Sequence, residues 1–462
     1  MPEATLDDTG QSQKGGDLIS TVEDVPLLAN IRVLDFTLAA VGPFCTRILC
    51  DLGAEVIHVE WPRVRWAAAG DDREPSRFRP EVIRGSEATG ERDKLFLHAN
   101  GGKKSLAINL KQPRGVDLVR RLVGISDVVV ENMTPRVMRS FGLDYSALRV
   151  INPDLVMCSL SGFGQAGIDD DESRPCTDPV AQAMSGISWI TGERLGPPYA
   201  IGGGIGDTSA SIVGAAAILA ALLGRQRTGQ GQYIDLSMIE ALAYLDCTVL
   251  PSVAMSGISR TFRNGQQNSY TFPMGPFRAS GGYLSIQAPG AGPDSPWGRL
   301  CSLMGRADMV DDDRFFDDAR RLQHTDEVIA VIEQWLCSLE DRDAALLLLA
   351  SERISAGPVL SQEEMLTHQF FQDRAMFGSV DYPEVGPVTV VEPPFKFSNA
   401  SAQVRGVAPE MGEHGRDICR GLLKLSDDEV TELYAADVLY ESEGARRRQQ
   451  ATTMHISSND RS

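Results

Sequence analysis

Residues 31–60 read IRVLDFTLAAVGPFCTRILCDLGAEVIHVE, and the order of patterns inside them decides the class of fold. IRVLDF (31–36) is a short β-branched run, and FCTRILCDLG (44–53) repeats apolar residues at helical spacing before it stops at Gly53. AEVIHVE (54–60) is then a second strand. Strand, helix and strand within this length form a βαβ unit, which implies a parallel sheet with a right-handed crossover.

The same alternation continues outward. KSLAINL (104–110), a helix near GVDLVRRLVGIS (115–126), DVVVEN (127–132), a helix around PRVMRSFG and DLVMCSLSGFG (154–164) extend the parallel sheet, so the class is α/β. Helices are expected near 179–189, 208–225 and 235–247, the last following TGQGQYIDLS. From about 250 the texture turns to Gly, Pro and aromatic residues, with two strands expected around Ser280-Gly281-Gly282. Helical material follows from about 295 to 350. VTVVEPPFKFS (388–398) reads as strand and loop returning to the first domain.

A chain of 462 residues, 42% apolar, is long enough for two cores. Its 44 basic and 63 acidic residues give a net charge of -19, which opposes general binding to nucleic acid or to an anionic membrane and leaves any anionic ligand dependent on a local basic site. The eight cysteines include no C-x-x-C pair and form no zinc-like grouping with the six histidines. They read as reduced thiols of a cytoplasmic protein, and no metal ligand set is expected. ASIVGAAAILAALLG (210–224) is shorter than the roughly 20 residues a membrane span needs, and is expected to be a buried helix.

Four features could carry chemistry, each beside a plainer role. GGGIGD (202–207) precedes a helix, but no Lys-Ser/Thr pair follows its glycines, so it is not a triphosphate loop. Lys103-Lys104, after Asn100-Gly101-Gly102, suits a phosphate but equally a solvated pair. Asn132 ends a probable parallel strand, where α/β proteins bind ligands, or it caps the next helix. In SRPCTDPVAQAMSG (173–186), Asp178 before Pro179 matches a helix N-cap followed by proline. A helix N-terminus also stabilises the ionised carboxylate that a nucleophilic aspartate requires.

Taken together, these stretches resemble the class III CoA-transferases of the CaiB/BaiF superfamily, which includes formyl-CoA transferase. The likeness runs from about 28 to 425 and rests on VLDFTLAAVGPFCTRILCDLGAEVIHVEWP, GKKSLAINLKQPRG, DVVVENMTPRVMRSFGLDY, LSGFGQAG, DPVAQAMSG, GDTSASIVGAAAILAAL and RTGQGQYIDLSMIEAL, in family order. The resemblance implies a Rossmann-like large domain joined to a smaller α+β domain, in an interlocked ring-like homodimer. The expected division is a loose tail at 1–24, the large CoA-binding domain at 25–249, the small domain at 250–350, a return segment at 351–442 and a loose tail at 443–462.

It further implies that Asp178 is the catalytic nucleophile and that Leu38, Ala39, Ala40, Val41, Lys103, Asn132, Met133 and Arg139 bind coenzyme A. Coenzyme A and acyl-CoA would be substrates, with no tightly bound cofactor, and the partners would be an acyl-CoA donor and a carboxylic acid acceptor. Three positions depart from the family pattern: Thr177 precedes the aspartate, Trp61 stands where a basic residue can occur, with Arg63 and Arg65 nearby, and RNGQQNSYTFPMG lacks the glycine run of the formyl-CoA transferase branch. A 2-methylacyl-CoA racemase-like enzyme and a non-catalytic CoA-binding relative are the alternatives. No histidine lies between His98 and His324, which takes away the racemase's usual base. Trp189, Tyr270, Phe272, Met274 and Phe277 would line an apolar acyl pocket or belong to the core.

Overall fold

The computed structural model describes residues 26–61, 91–165, 174–257, 263, 265–383 and 385–450. In chain order its strands are β1 (Arg32–Asp35), β2 (Glu55–Glu60), β3 (Lys104–Ile108), β4 (Val128–Glu131), β5 (Val156–Ser161), β6 (Tyr233–Ser237), β7 (Met274–Ala279), β8 (Gly282–Gln287), β9 (Ser355–Pro358), β10 (Phe377–Tyr382), β11 (Gly386–Val391) and β12 (Leu439–Tyr440). The opening stretch folds as read, with the helix Val41–Asp51 between β1 and β2. β1, β2, β4 and β5 are buried almost throughout, as a parallel sheet covered on both faces requires.

Seven strands form one sheet in the order β12-β3-β2-β1-β4-β5-β6, parallel except for β12, which runs antiparallel beside β3. The run 3-2-1-4-5-6 is that of a doubly wound sheet, whose order reverses between β1 and β4 and opens a ligand crevice at their carboxyl ends. Two of these strands were not legible beforehand. β6 occupies YIDLS, and the helix expected at 235–247 begins only after it, at Met238. β12 is two residues long.

The chain divides into two compact units. One comprises Met1–Pro175, Asp207–Ser237 and Ala375–Ser462, and the other Cys176–Gly206 and Met238–Arg374. Residues 176–206 and 238–249 belong to the second of these units, where the helices Asp178–Met184 and Met238–Leu245 pack on each other. In the first unit one apolar cluster includes Leu34, Ile57, Leu106, Leu122, Val129 and Met157, and is closed by Ile418, Val430 and Leu439. β10 and β11 form a separate antiparallel hairpin of that unit.

The second unit has a three-stranded antiparallel sheet, β7-β8-β9. The β7–β8 turn falls on Ser280-Gly281, with Gly281 at φ +78°, a conformation glycine adopts without strain. Phe272, Phe277, Trp297, Leu300, Ile332 and Leu349 build its core. Buried Arg321 threads this core, donating to the carbonyls of Phe272 and Phe315 at 2.8 and 2.7 Å. Phe272 and Phe277 are thus packing residues rather than pocket lining.

The long apolar helix runs from Ile205 to Thr228, 24 residues, and among the described helices is the one long and apolar enough to cross a membrane, with half of its most apolar window buried. Its small residues let it lie close against the sheet: a Cβ at Gly214 would meet Leu160 Cδ2 of β5 at 2.9 Å. The expected C-terminal tail is described as far as residue 450. Residues 443–450 are helical and Ala445 is fully buried, while Arg448 donates to Glu413 at 3.1 Å. The expected N-terminal tail at 1–24 lies outside the described residues. None of the eight cysteines, all of which are among the described residues, forms a disulfide, and five are buried.

Candidate active site

In the first unit, the candidate coenzyme A residues gather where the sheet order reverses. After β1 the chain passes Leu38, Ala39 and Ala40 into the helix that starts at Val41. Ala39 holds φ +64°, a left-handed conformation that costs a non-glycine residue about 1–2 kcal/mol and persists only where its surroundings enforce it. Those surroundings are visible. Asn132, just past β4, accepts the Leu38 N–H at 2.8 Å and donates to the Leu38 carbonyl at 2.8 Å. Val41 O accepts the Ser211 hydroxyl at 2.6 Å. The side chain of Asn132 therefore ties the β1 loop to the β4 loop.

Met133 follows Asn132, and its N–H donates to Glu131 Oε2 at 2.8 Å. Burial pushes the Glu131 carboxyl up to about 7, opposed by hydrogen bonds from Ser159 and Met133 and reinforced by Asp235. Register explains this group: Glu131, Ser159 and Asp235 are successive partners across β4, β5 and β6. Arg139 is exposed in the last turn of the helix Pro135–Ser140. Arg63 and Arg65 lie outside the described residues.

Lys103 differs from the expectation. Its ammonium is buried, with Asp35 Oδ2 and the Pro43 carbonyl both at 2.9 Å, Thr46 Oγ1 at 2.7 Å and Asn100 Oδ1 at 2.9 Å. These acceptors exhaust its three protons, so it holds the sheet together and has nothing left for a phosphate. Asp35 also accepts both the N–H and the hydroxyl of Thr37. Burial raises the Asp35 carboxyl, but Lys103, then His58 and Thr37, outweigh it and hold the group well below the usual carboxylate range. The adjacent Lys104 points outward and pairs with Glu55 at 2.6 Å.

In the second unit, Asp178 opens the helix Asp178–Met184 as its first residue rather than as its cap; the cap position is Thr177, whose side chain makes no capping bond. The half-buried carboxylate faces other donors. Oδ1 accepts the N–H of Gly206 at 2.5 Å, and Oδ2 accepts Gln182 Nε2 at 2.7 Å. Gln182 lies one turn further along the same helix, fully buried, and is fixed by Ile201, donating to its carbonyl at 3.0 Å and accepting its N–H at 2.7 Å. Gly206 belongs to the GGGIGD loop. A Cβ there would lie 2.6 Å from Asp178 Oδ1, so only glycine lets the backbone come this close.

Gln182, Gly206 and Glu131 are the residues that sequence reasoning missed. The i, i+4 spacing of Asp178 and Gln182 was a usable signal, since such pairs share a helix face. The approach of Gly206 from 28 residues downstream left none. Of the proposed acyl-pocket residues, Trp189 and Tyr270 are exposed, Met274 is half-buried, and Phe272 and Phe277 are core.

The family described as CoA-transferase family III matches residues 28–415. The chain is 34% identical over 395 residues to a succinyl-CoA:mesaconate CoA-transferase of Haloarcula marismortui, covering 85% of this chain and 95% of the relative. It is 30% identical over 445 residues to the succinyl-CoA:glutarate CoA-transferase of Mus musculus, covering 94% of each. Among solved structures, a CaiB/BaiF family protein from Brucella suis superposes with a TM-score of 0.71 at 31% identity, over 87% of this chain and all of that one.

Proposed function

Because the chain belongs to CoA-transferase family III and is an enzyme that moves coenzyme A between acids, we propose that it does so through a covalent intermediate on Asp178. The observation that carries this reading is the carboxylate of Asp178 at a helix start, whose Oδ1 accepts the Gly206 N–H and whose Oδ2 accepts Gln182 Nε2. A carboxylate so oriented is ready to attack a thioester. One oxygen adds to the acyl carbon of the donor, CoA leaves as thiolate, and a mixed anhydride results. The thiolate then attacks Asp178 Cγ, releasing the donor acid and leaving an aspartyl-CoA thioester, which the acceptor acid opens in the reverse sense.

Thioester is exchanged for thioester, so the overall transfer is near balance, although each mixed anhydride lies above the thioesters on either side of it. Coenzyme A is held by the backbone of Leu38, Ala39, Ala40 and Val41, by Asn132 and Met133, and by Arg139 as the cation for its phosphates. The relatives' names supply the first substrates to try: succinyl-CoA as donor, with mesaconate or glutarate as acceptor. We also propose a homodimer. Trp189, Leu195, Tyr244 and Met255 are exposed, and the apolar helix Val249–Ser256 buries no residue, more apolar surface than a lone subunit usually presents.

The test is a mass-spectrometric exchange assay with succinyl-CoA against a panel of dicarboxylic and hydroxy acids. A new acyl-CoA should form with at least one acceptor in the wild-type protein and none with Asp178→Ala, which should still bind CoA. Exchange by Asp178→Ala at the wild-type rate would remove the nucleophile from the account.

A further inference from the structure

The two oxygens of the Asp178 carboxylate sit in different surroundings. Oδ1 faces the Gly206 N–H in the first turn of a 24-residue helix, where the backbone dipole favours negative charge. Oδ2 faces the side-chain amide of Gln182, which both backbone groups of Ile201 hold in place. Gln182 is buried, so neither its position nor its angle is free to relax.

On the premise that Asp178 is the nucleophile, we propose that the Gly206 N–H is the oxyanion donor for the tetrahedral states at Asp178 Cγ. Gln182 Nε2 meanwhile serves the oxygen that bonds to the acyl groups. Once the anhydride has formed through Oδ2, the CoA sulfur adds to Cγ and the carbonyl electron pair moves onto Oδ1. The pair returns as the Cγ–Oδ2 bond breaks, and the donor acid leaves as a carboxylate that carries this oxygen.

The acceptor carboxylate then adds to Cγ of the thioester. The pair again moves onto Oδ1 and returns as CoA thiolate departs. Thiolate finally attacks the acyl carbon of the new anhydride, and Asp178 leaves as a carboxylate holding one oxygen from the acceptor. Bonds and electron pairs close without oxidant, reductant or water. At every tetrahedral state on Cγ the charge grows on the oxygen facing Gly206. As each acid leaves Cγ, or Asp178 leaves the acyl carbon, charge appears on the oxygen facing Gln182. Donors already in place where charge develops need no reorganisation during the reaction.

The experiment compares Gln182→Leu, Gly206→Ala and Asp178→Ala, with succinyl-CoA and glutarate as probes. Gln182→Leu removes one donor, and Gly206→Ala keeps its N–H but brings a Cβ to 2.6 Å from Oδ1 and so drives the oxygen off the other; each should lose about 100-fold in kcat, the usual effect of losing one oxyanion donor, with KM for succinyl-CoA changed by less than about threefold. In quenched single turnovers, Gly206→Ala should build up free CoA and the acyl-enzyme anhydride at the expense of the enzyme–CoA thioester. Wild-type protein gives a readout that does not depend on variant folding. Its 13C-aspartate-edited infrared difference spectrum should place the aspartyl thioester carbonyl below the frequency of a model thioester in water.

Wild-type kcat in both variants beside an inactive Asp178→Ala overturns the proposal and leaves the nucleophile intact. A rise in KM alone, or a carbonyl frequency equal to that of the model compound, overturns it equally. Activity in Asp178→Ala removes the premise instead.

Discussion

Replacing Lys103 by methionine keeps the length of the side chain and removes its charge. Asp35 would then remain fully buried with the Thr37 N–H at 2.9 Å, the hydroxyls of Thr37 and Thr46 at 2.5 and 2.6 Å and His58 Nδ1 at 3.4 Å, while Pro43 O and Asn100 Oδ1 lose a donor. Breaking one side of a buried ion pair costs about 3–5 kcal/mol, a large part of the 5–15 kcal/mol that stabilises a typical protein. Equilibrium urea unfolding at pH 7 should register that loss. Asp35→Asn combined with Lys103→Met should recover at least half of it, since no unpaired charge then remains.

The pH dependence has a definite sign. The folded-state pKa of Asp35 lies below the ordinary 3.8, so its contribution is present above that value and is lost as pH falls toward the folded-state value. The gap between wild type and Lys103→Met is therefore widest near neutrality and narrows as pH drops through 3.8. A cost below about 1 kcal/mol, together with a raised KM for acyl-CoA, would refute the reasoning and return Lys103 to the ligand.

Glu131→Gln tests the neighbouring group. Its folded-state pKa is raised from 4.5 to about 7, so the folded state holds a proton that the unfolded chain gives up, and stability falls as pH rises from 4.5 to 7. Glutamine stays neutral; thermal unfolding should find the variant more stable than wild type at pH 8, by at most about 3 kcal/mol, with the difference vanishing toward pH 4.5. Asn132→Ala frees both backbone groups of Leu38, at about 1 kcal/mol each, and should raise KM for acyl-CoA by about tenfold while leaving kcat within about twofold, as initial-rate kinetics will show. Light scattering on the purified protein should give twice the chain mass; a monomer at micromolar concentration contradicts the dimer.

How much of this was legible in the sequence depended on whether a residue's neighbours were near in the chain. The parallel strands stood out because burial on both faces demands continuous runs such as VVVE in β4. β6 did not, because this edge strand alternates in exposure and its polar YIDLS merges into the helix that follows. Lys103 and Lys104 read alike as letters, yet strand alternation sends one into the core and the other to solvent. Proline beside Asp178 suggested a cap, and the local letters held nothing of Gly206.

The most direct test of the central claim is chemical capture at Asp178. Wild-type protein incubated with succinyl-CoA and hydroxylamine, then digested and sequenced by mass spectrometry, should carry a hydroxamate on Asp178 alone among its acidic residues, dependent on the acyl-CoA. An unmodified Asp178 in protein that is actively exchanging CoA would contradict the account.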